Sequence, residues 1–396
     1  MRTFPARSSL VRPLWATVLV VVAAACSDND DYGGEPLAPS QPIVNTTSFN
    51  ATLCGAQEVA NVSSTGVAFA VLTVDTVTKA ITGSVTTVGI TGSVAHIHTG
   101  AAGVNGPITI PLAETAAGSG VWAVPANTML SDAQYADLLA GAMYYNVHSV
   151  AFPAGEIRGQ IGRDVRGSAL KGAEEVPANA SGATGRGFVA VDPVTRTLTA
   201  SVTTSGVAGT VAHIHEGAAG VSGPIVFPLT ETTPGSGVWG TVVTLSDAQY
   251  ATLKAGNYYF NVHSAAIPAG EIRGQLGPII GGGELSAANE VPPNASAATG
   301  RGIAVVDPVT LAISAGVKTS GLTGSMAHIH EAATGVNGPI IVNFGEAPAA
   351  SGRWSAAAGA VLTPSQLSSF KAGNLYFNVH SAAYPGGEIR GQIATQ

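Results

Sequence analysis

The sequence predicts an all-β protein built from three tandem sandwich or barrel domains, each carrying one short helix. Three observations predict it. The first is composition: the 396 residues include 50 glycines and 23 prolines, whereas charged residues make up 10% and aromatics 6%. That balance supplies turns. It excludes long helical bundles and coiled coils, which need Glu, Lys, Leu and Arg, and it excludes disorder, which needs high charge and few apolar residues. The second is repetition: Ala95-His96-Ile97-His98 recurs at Ala212 to His215 and at Ala327 to His330. The third is patterning inside each unit, where short alternating segments lie between turn residues, the signature of a sandwich or barrel. The formal charge of −7, with no basic stripe, argues against nucleic acid as a partner.

The chain opens with a targeting segment. Arg2, Arg7 and Arg12 precede an apolar run from Leu14 to Ala25, too short for a membrane-spanning helix of about 20 residues. Residues 1–25 therefore read as a signal peptide. The end of the run, Val22-Ala23-Ala24-Ala25-Cys26, resembles a bacterial lipobox, in which Cys26 would be lipidated and become the mature N-terminus; cleavage without lipid is the alternative. Residues 26–45 are polar and rich in Pro, Gly and Ser, a flexible tether. These features point to export and to lipid anchoring in the bacterial cell envelope. Ser27 after the cysteine is compatible with the outer membrane, with either face open. The other cysteine, Cys54, occupies the position of Lys171 and Ser286 in the other units, so it reads as a strand residue and not as a catalytic thiol. No disulfide framework is expected.

The repeats place domains at 46–162, 163–280 and 281–396. The histidine motif recurs at intervals of 117 and then 115 residues. That is far longer than solenoid or propeller repeats of about 20–50 residues, so each unit is large enough to bury its own core. The short junctions, near Gly162 and Gly281-Gly282-Gly283, predict beads with limited freedom. In the second unit, strands are expected at Phe188–Val191, Leu198–Thr203, Thr210–His215, Ile225–Leu229, Val238–Val243, Tyr258–Ser264 and Glu271–Leu276. The helix follows Ser246-Asp247-Ala248-Gln249, a capping box, and stops at Gly256. The third unit starts its helix with Thr363-Pro364-Ser365-Gln366, with Pro where a missing N–H costs nothing. The helix is expected to cover an open end of the sandwich.

All nine histidines lie in the repeats, three per unit: His96, His98 and His148; His213, His215 and His263; His328, His330 and His380. Residues i and i+2 of a strand share a face. His96 and His98 therefore point one way and Ile97 the other. On the later strand, Tyr144, Asn146 and His148 face opposite to Tyr145 and Val147. With Ile97, Tyr145 and Val147 inward, the histidines lie outward. If the two strands are neighbours, three imidazoles converge, a set that suits copper or zinc with one position open. The competing reading is a polar cluster that bonds only to the backbone and neighbouring strands. Glu156 and Arg158, with their copies Glu271 and Arg273, Glu388 and Arg390, share one strand face. They read either as a half-exposed cross-strand ion pair or as partners that accept a ligand histidine's free N–H.

Ala-His-Ile-His, a glycine-rich loop ending Gly-Pro-Ile, Asn-Val-His-Ser and Gly-Glu-Ile-Arg-Gly-Gln together resemble the CHRD domain, the module first noticed in chordin and widespread in bacteria. Glu175-Val176-Pro177 and Glu290-Val291-Pro292 fit the same pattern, and the first unit departs from it with Glu58-Val59-Ala60. The resemblance covers essentially residues 48–394. It implies an immunoglobulin-like β-barrel with limited similarity to Cu,Zn superoxide dismutases, which also carry His-x-His on one strand and Val-His on a later one. Nothing here matches the bridging histidine, zinc loop or disulfide of those enzymes. The expected function is therefore a non-enzymatic binding or structural role in the envelope, with one copper or zinc per domain. The alternatives are a copper-dependent redox enzyme acting on superoxide, and a metal-free adhesion or spacer module that binds a protein or polysaccharide.

Overall fold

The computed structural model describes residues 45–395 except Asn61. The expected leader (residues 1–25), the expected lipidation at Cys26 and nearly all of the expected tether lie outside the described residues. Among the described residues no helix is long and apolar enough to cross a membrane.

The middle unit shows the architecture most simply. Eight antiparallel strands close into a barrel in the order Asp164–Lys171, Thr184–Val191, Thr197–Ser205, Val238–Thr244, Ile225–Glu231, Gly209–Glu216, Tyr258–Ser264 and Ile272–Gln275, the last pairing with the first. Six of these ranges extend the predicted strands by a few residues or match them, and the seventh shortens Glu271–Leu276. The first unit follows the same plan, but the strand matching Ile225–Glu231 is interrupted at Leu112, leaving Ile108–Pro111 and Ala113–Glu114. The third repeats it with a short extra strand, Ala394–Thr395. The period-2 alternation sets the inward faces: Ala95, Ile97, Tyr145, Val147 and Ile157 are all fully buried in the first core. One tryptophan sits in each core, Trp122, Trp239 and Trp354.

Each helix forms where its start signal lies. Ser131, Ser246 and Thr363 accept a hydrogen bond from the amide three residues on, and the glutamine at that position bonds back to the cap. The helices Asp132–Leu139, Asp247–Lys254 and Pro364–Lys371 are short and only weakly amphipathic. Each is held by a side chain fully buried in its barrel core, Leu138, Leu253 or Phe370, joined in the second helix by Tyr250.

The barrels are not loose beads. The first strand of the third barrel, Ile279–Ser286, starts two residues before the expected boundary at 281. Cys54, Val67 and Val88 of the first pack with Ile280, Ile303 and Val305 of the third in a fourth buried apolar cluster, where each withdrawn aliphatic side chain contributes about 1.5–3 kcal/mol. Arg301 lies over Phe69, 4.7 Å from its ring centre. Arg353 is buried in the same interface and donates to Thr87 O (3.1 Å), Thr87 Oγ1 (3.2 Å), Ile90 O (2.9 Å) and Gly118 O (3.2 Å). At the junction of the first and second barrels Arg163 donates to Leu139 O of the first at 2.8 Å and pairs with Asp192 of the second at 3.2 Å, and Lys371 of the third reaches Asn257 of the second at 3.2 Å. Arg353→Ala leaves the buried Thr87 acceptors without this donor and is expected to cost about 2–4 kcal/mol. Urea denaturation followed by tryptophan emission checks this; an unchanged midpoint would show the first and third barrels to be held by apolar contact alone.

Candidate metal centre

The strand Val94–Thr99 pairs with Met143–His148, setting His96 opposite Asn146 and His98 opposite Tyr144. The two histidine strands are thus neighbours, and all three imidazoles emerge on the barrel's outer side. Ring centres are 5.5 Å (His96–His98), 5.2 Å (His96–His148) and 6.2 Å (His98–His148) apart. The second unit repeats this at 5.6, 5.2 and 6.2 Å, and the third at 5.6, 5.1 and 6.1 Å. In each trio one nitrogen per ring lies within 4.8 Å of the others.

Backbone carbonyls choose which nitrogens face inward. His98 Nδ1–H donates to Gly106 O at 3.0 Å and His148 Nδ1–H to Pro153 O at 3.0 Å. The copies are His215 to Gly223 O, His330 to Gly338 O, His263 to Pro268 O and His380 to Pro385 O, all between 2.9 and 3.1 Å. That fixes the tautomer and leaves Nε2 with its lone pair toward the centre. His96 faces it with Nδ1, 3.4 Å from His148 Nε2, and His213 does so at 3.3 Å from His263 Nε2. Nitrogens about 3.3 Å apart suit two bonds of about 2.0–2.1 Å to one tetrahedral ion. The Nε2 atoms of His98, His215, His330 and His380 and the Nδ1 of His328 are buried without a hydrogen-bond partner. Burial, and then the neighbouring imidazoles, hold His96, His213 and His328 below the ordinary histidine value, His328 at about 4. Burial likewise lowers His98, His215, His330 and His380. These seven imidazoles are therefore biased toward the neutral form, the one a metal needs.

The outer partners differ from the expected ones. Glu156 and Arg158 form no ion pair with each other, and Glu156 accepts no histidine proton. Glu156 Oε1 instead accepts from Ser64 Oγ at 2.6 Å, as Glu271 does from Ser181 and Glu388 from Ser296. Arg158 is 1% exposed, not half-exposed. It donates to Ala101 O (2.7 Å) and Val104 O (3.0 Å) of the glycine-rich loop and lies 3.4 Å above the Tyr144 ring. Arg273 and Arg390 hold the corresponding loops and stack on Tyr259 and Tyr376. On the strand's other side Tyr144 stacks on His98, ring centres 4.9 Å apart. Its hydroxyl oxygen accepts the Gly106 amide at 3.2 Å. The Gly106 peptide is thereby gripped at its N–H by Tyr144 and at its C=O by His98. Only glycine fits there, because a Cβ would fall 1.6 Å from Thr99 O.

One constellation was not read from the sequence. Glu175 and Glu290 of the Glu-Val-Pro motif, and Glu58 of its first-unit variant Glu-Val-Ala, are buried beside Asn261, Asn378 and Asn146. In each, Oε1 has no partner. Burial pushes each carboxyl up to about 7, against the pull of Arg158, Arg273 or Arg390. The only available signal was the motif's recurrence; the partners lie some 90 residues away in the chain. The folded protein thus keeps protons that the unfolded chain releases above a pH of about 4.5. Stability from these groups is full below that value and is lost as the pH rises through about 7. The lowered histidines act oppositely, costing stability as the pH falls below about 6.5. Replacing all three glutamates by Gln isolates the acid contribution. The variant, apo, should gain on the wild type between pH 5 and 8 by up to about 3 kcal/mol per group, read as urea midpoints; a pH-independent difference would contradict the assignment.

Fold and site together define a class: tandem all-β barrels, each bearing a three-imidazole cluster on its outer face under covering loops. The chain belongs to the CHRD domain family, whose model matches residues 49–161, 167–276 and 283–393. No curated relative matches it.

Proposed function

We propose that this protein is an exported, lipid-anchored envelope protein whose three CHRD domains serve a binding role by each holding one copper or zinc ion on its histidine trio. The observation that carries this reading is the buried, partnerless Nε2 of His98, His215 and His330, repeated in all three units and oriented by a carbonyl on the far side of each ring. A purely structural polar cluster would use those nitrogens in hydrogen bonds. The anchor rests on Cys26 and the run before it, with attachment to the outer membrane through the N-terminal lipid.

The test is metal analysis of the chain from residue 44 onward, loaded with Cu(II) or Zn(II) and dialysed. Three retained ions per chain support the reading. None retained, with histidine replacement making no difference, ends it and leaves a spacer or adhesion module whose ligand is a protein or polysaccharide. A copper redox activity toward superoxide is the second reading. It is favoured by a donor set of three nitrogens without a fourth protein ligand in the group, which leaves a position for a small molecule. Turnover by the copper-loaded chain no faster than by free copper would dismiss it.

A further inference from the structure

We propose that the second barrel positions the first histidine centre through Arg186 and Phe188, so that this centre alone is coupled to the packing of two barrels. This rests on the reading of the trios as metal sites. Two loops carry the outer partners of His96, His98 and His148. One, residues 55–58, brings Glu58 against Asn146 and Gly155. The other, residues 100–106, supplies Gly106 O to His98 and the carbonyls that Arg158 holds.

Both loops are gripped from outside by one strand of the second barrel, Thr184–Val191. Arg186 Nη2 donates to Ala56 O at 2.6 Å and to Glu58 O at 3.1 Å. Its guanidinium also lies 4.5 Å from the Phe188 ring centre. The Phe188 ring presses on Gly103, where a Cβ would come within 2.5 Å of it. Gly167 allows this approach, since a Cβ there would lie 2.7 Å from Ala56 O.

The other two centres lack the brace. Gly220 and Gly335, the copies of Gly103, face open space. Arg301, which occupies the place of Arg186 in the third unit, spends its guanidinium on Phe69 and Glu284 and reaches no histidine-bearing loop. Release of an ion requires its surrounding loops to open, and opening is rarer where a second body holds them. Arg186 and Phe188 are thus positioning residues that act on the centre through the loops.

The test follows zinc transfer from the zinc-loaded full chain to a colorimetric chelator in excess. Three ions are expected, two leaving together and one about tenfold more slowly, as expected for loss of a charge-assisted hydrogen bond on opening. His96→Ala should remove the slow ion and identify it. Arg186→Ala should move it into the fast phase, and Arg186→Lys, with a single donor point, should restore part of the delay. Phe188→Leu, which keeps an apolar contact at Gly103, supplies an intermediate rate should Arg186→Ala not fold. Three retained ions leaving at one rate, or a slow His96-dependent ion unaffected by both substitutions, overturns the coupling and leaves the metal reading intact. A wild-type chain that retains no zinc overturns the metal reading itself.

Discussion

Replacing His96, His98 and His148 by alanine is expected to remove one bound ion of three and leave the other two, and replacing all nine histidines to remove all. Among single substitutions, His98→Ala should be most damaging, because its Nδ1 is fixed on Gly106 O while its Nε2 has no other partner. Perturbing an outer partner of a ligand commonly costs 10–100-fold in affinity, so loss of a ligand should cost at least about 100-fold. The effect carries into stability. An ion present at about 1,000 times its dissociation constant adds about 4 kcal/mol to the folded state, and thermal denaturation should show this in the wild type and not in the nine-fold variant. Without metal the order reverses at acid pH. Below about 6.5 the lowered histidines bind protons better in the unfolded chain, so their contribution to wild-type stability falls with the pH, against that of the raised glutamates. The alanine variant keeps only the opposing glutamates, so across that range its stability should rise as the pH falls from about 7. Equal metal content in the two chains, or parallel pH curves, would contradict the arrangement.

Arg158→Met is expected to be the most destabilising single change in the first barrel, at about 3–5 kcal/mol. The side chain is almost wholly buried and satisfies two loop carbonyls, and a hydrogen bond from a charged donor is worth about 1.5–3 kcal/mol. It also covers the Tyr144 ring, whose other face carries His98. Losing it frees the loop that holds Gly106, so metal affinity at the first centre should fall with stability, by about 10–100-fold. Arg158→Lys should not rescue it, because one ammonium cannot span Ala101 O and Val104 O while stacking on a ring. Each barrel has one tryptophan, so a chain keeping only Trp122 of the three core tryptophans reports on the first barrel. An unaltered Trp122 transition, or unaltered affinity, would show Arg158 to be dispensable.

The histidine centre was largely legible because it depends on pleating. A two-residue step puts His96 and His98 on one side of a strand, and the same rule sends His148 outward while Tyr145 and Val147 go in. The repeats marked out three units, and the capping boxes located the helices. Glu156 and Arg158 were misread for a definite reason. Alternation identifies a residue as outward but is silent on whether a loop lies over it. The loops at 55–60, 62–66 and 100–107 cover that face and turn a half-exposed strand into a second interior. The same blindness hid Glu58, whose role requires Asn146 and Gly155 from distant strands.

What the amino acids determined alone are the local matters: strand periodicity, turn positions, helix starts, and the side of the sheet from which each imidazole emerges. What only the tertiary structure decided is what covers that side and what the barrels do to one another, including the apolar patch of Val67, Val88, Ile303 and Val305 and the reach of Arg186 and Arg353 into the first barrel. Backbone geometry acts over a few residues and leaves its rhythm in the sequence. Contacts between residues 130 to 266 positions apart leave no such rhythm, because any outward apolar side chain or arginine reads the same until a partner surface meets it.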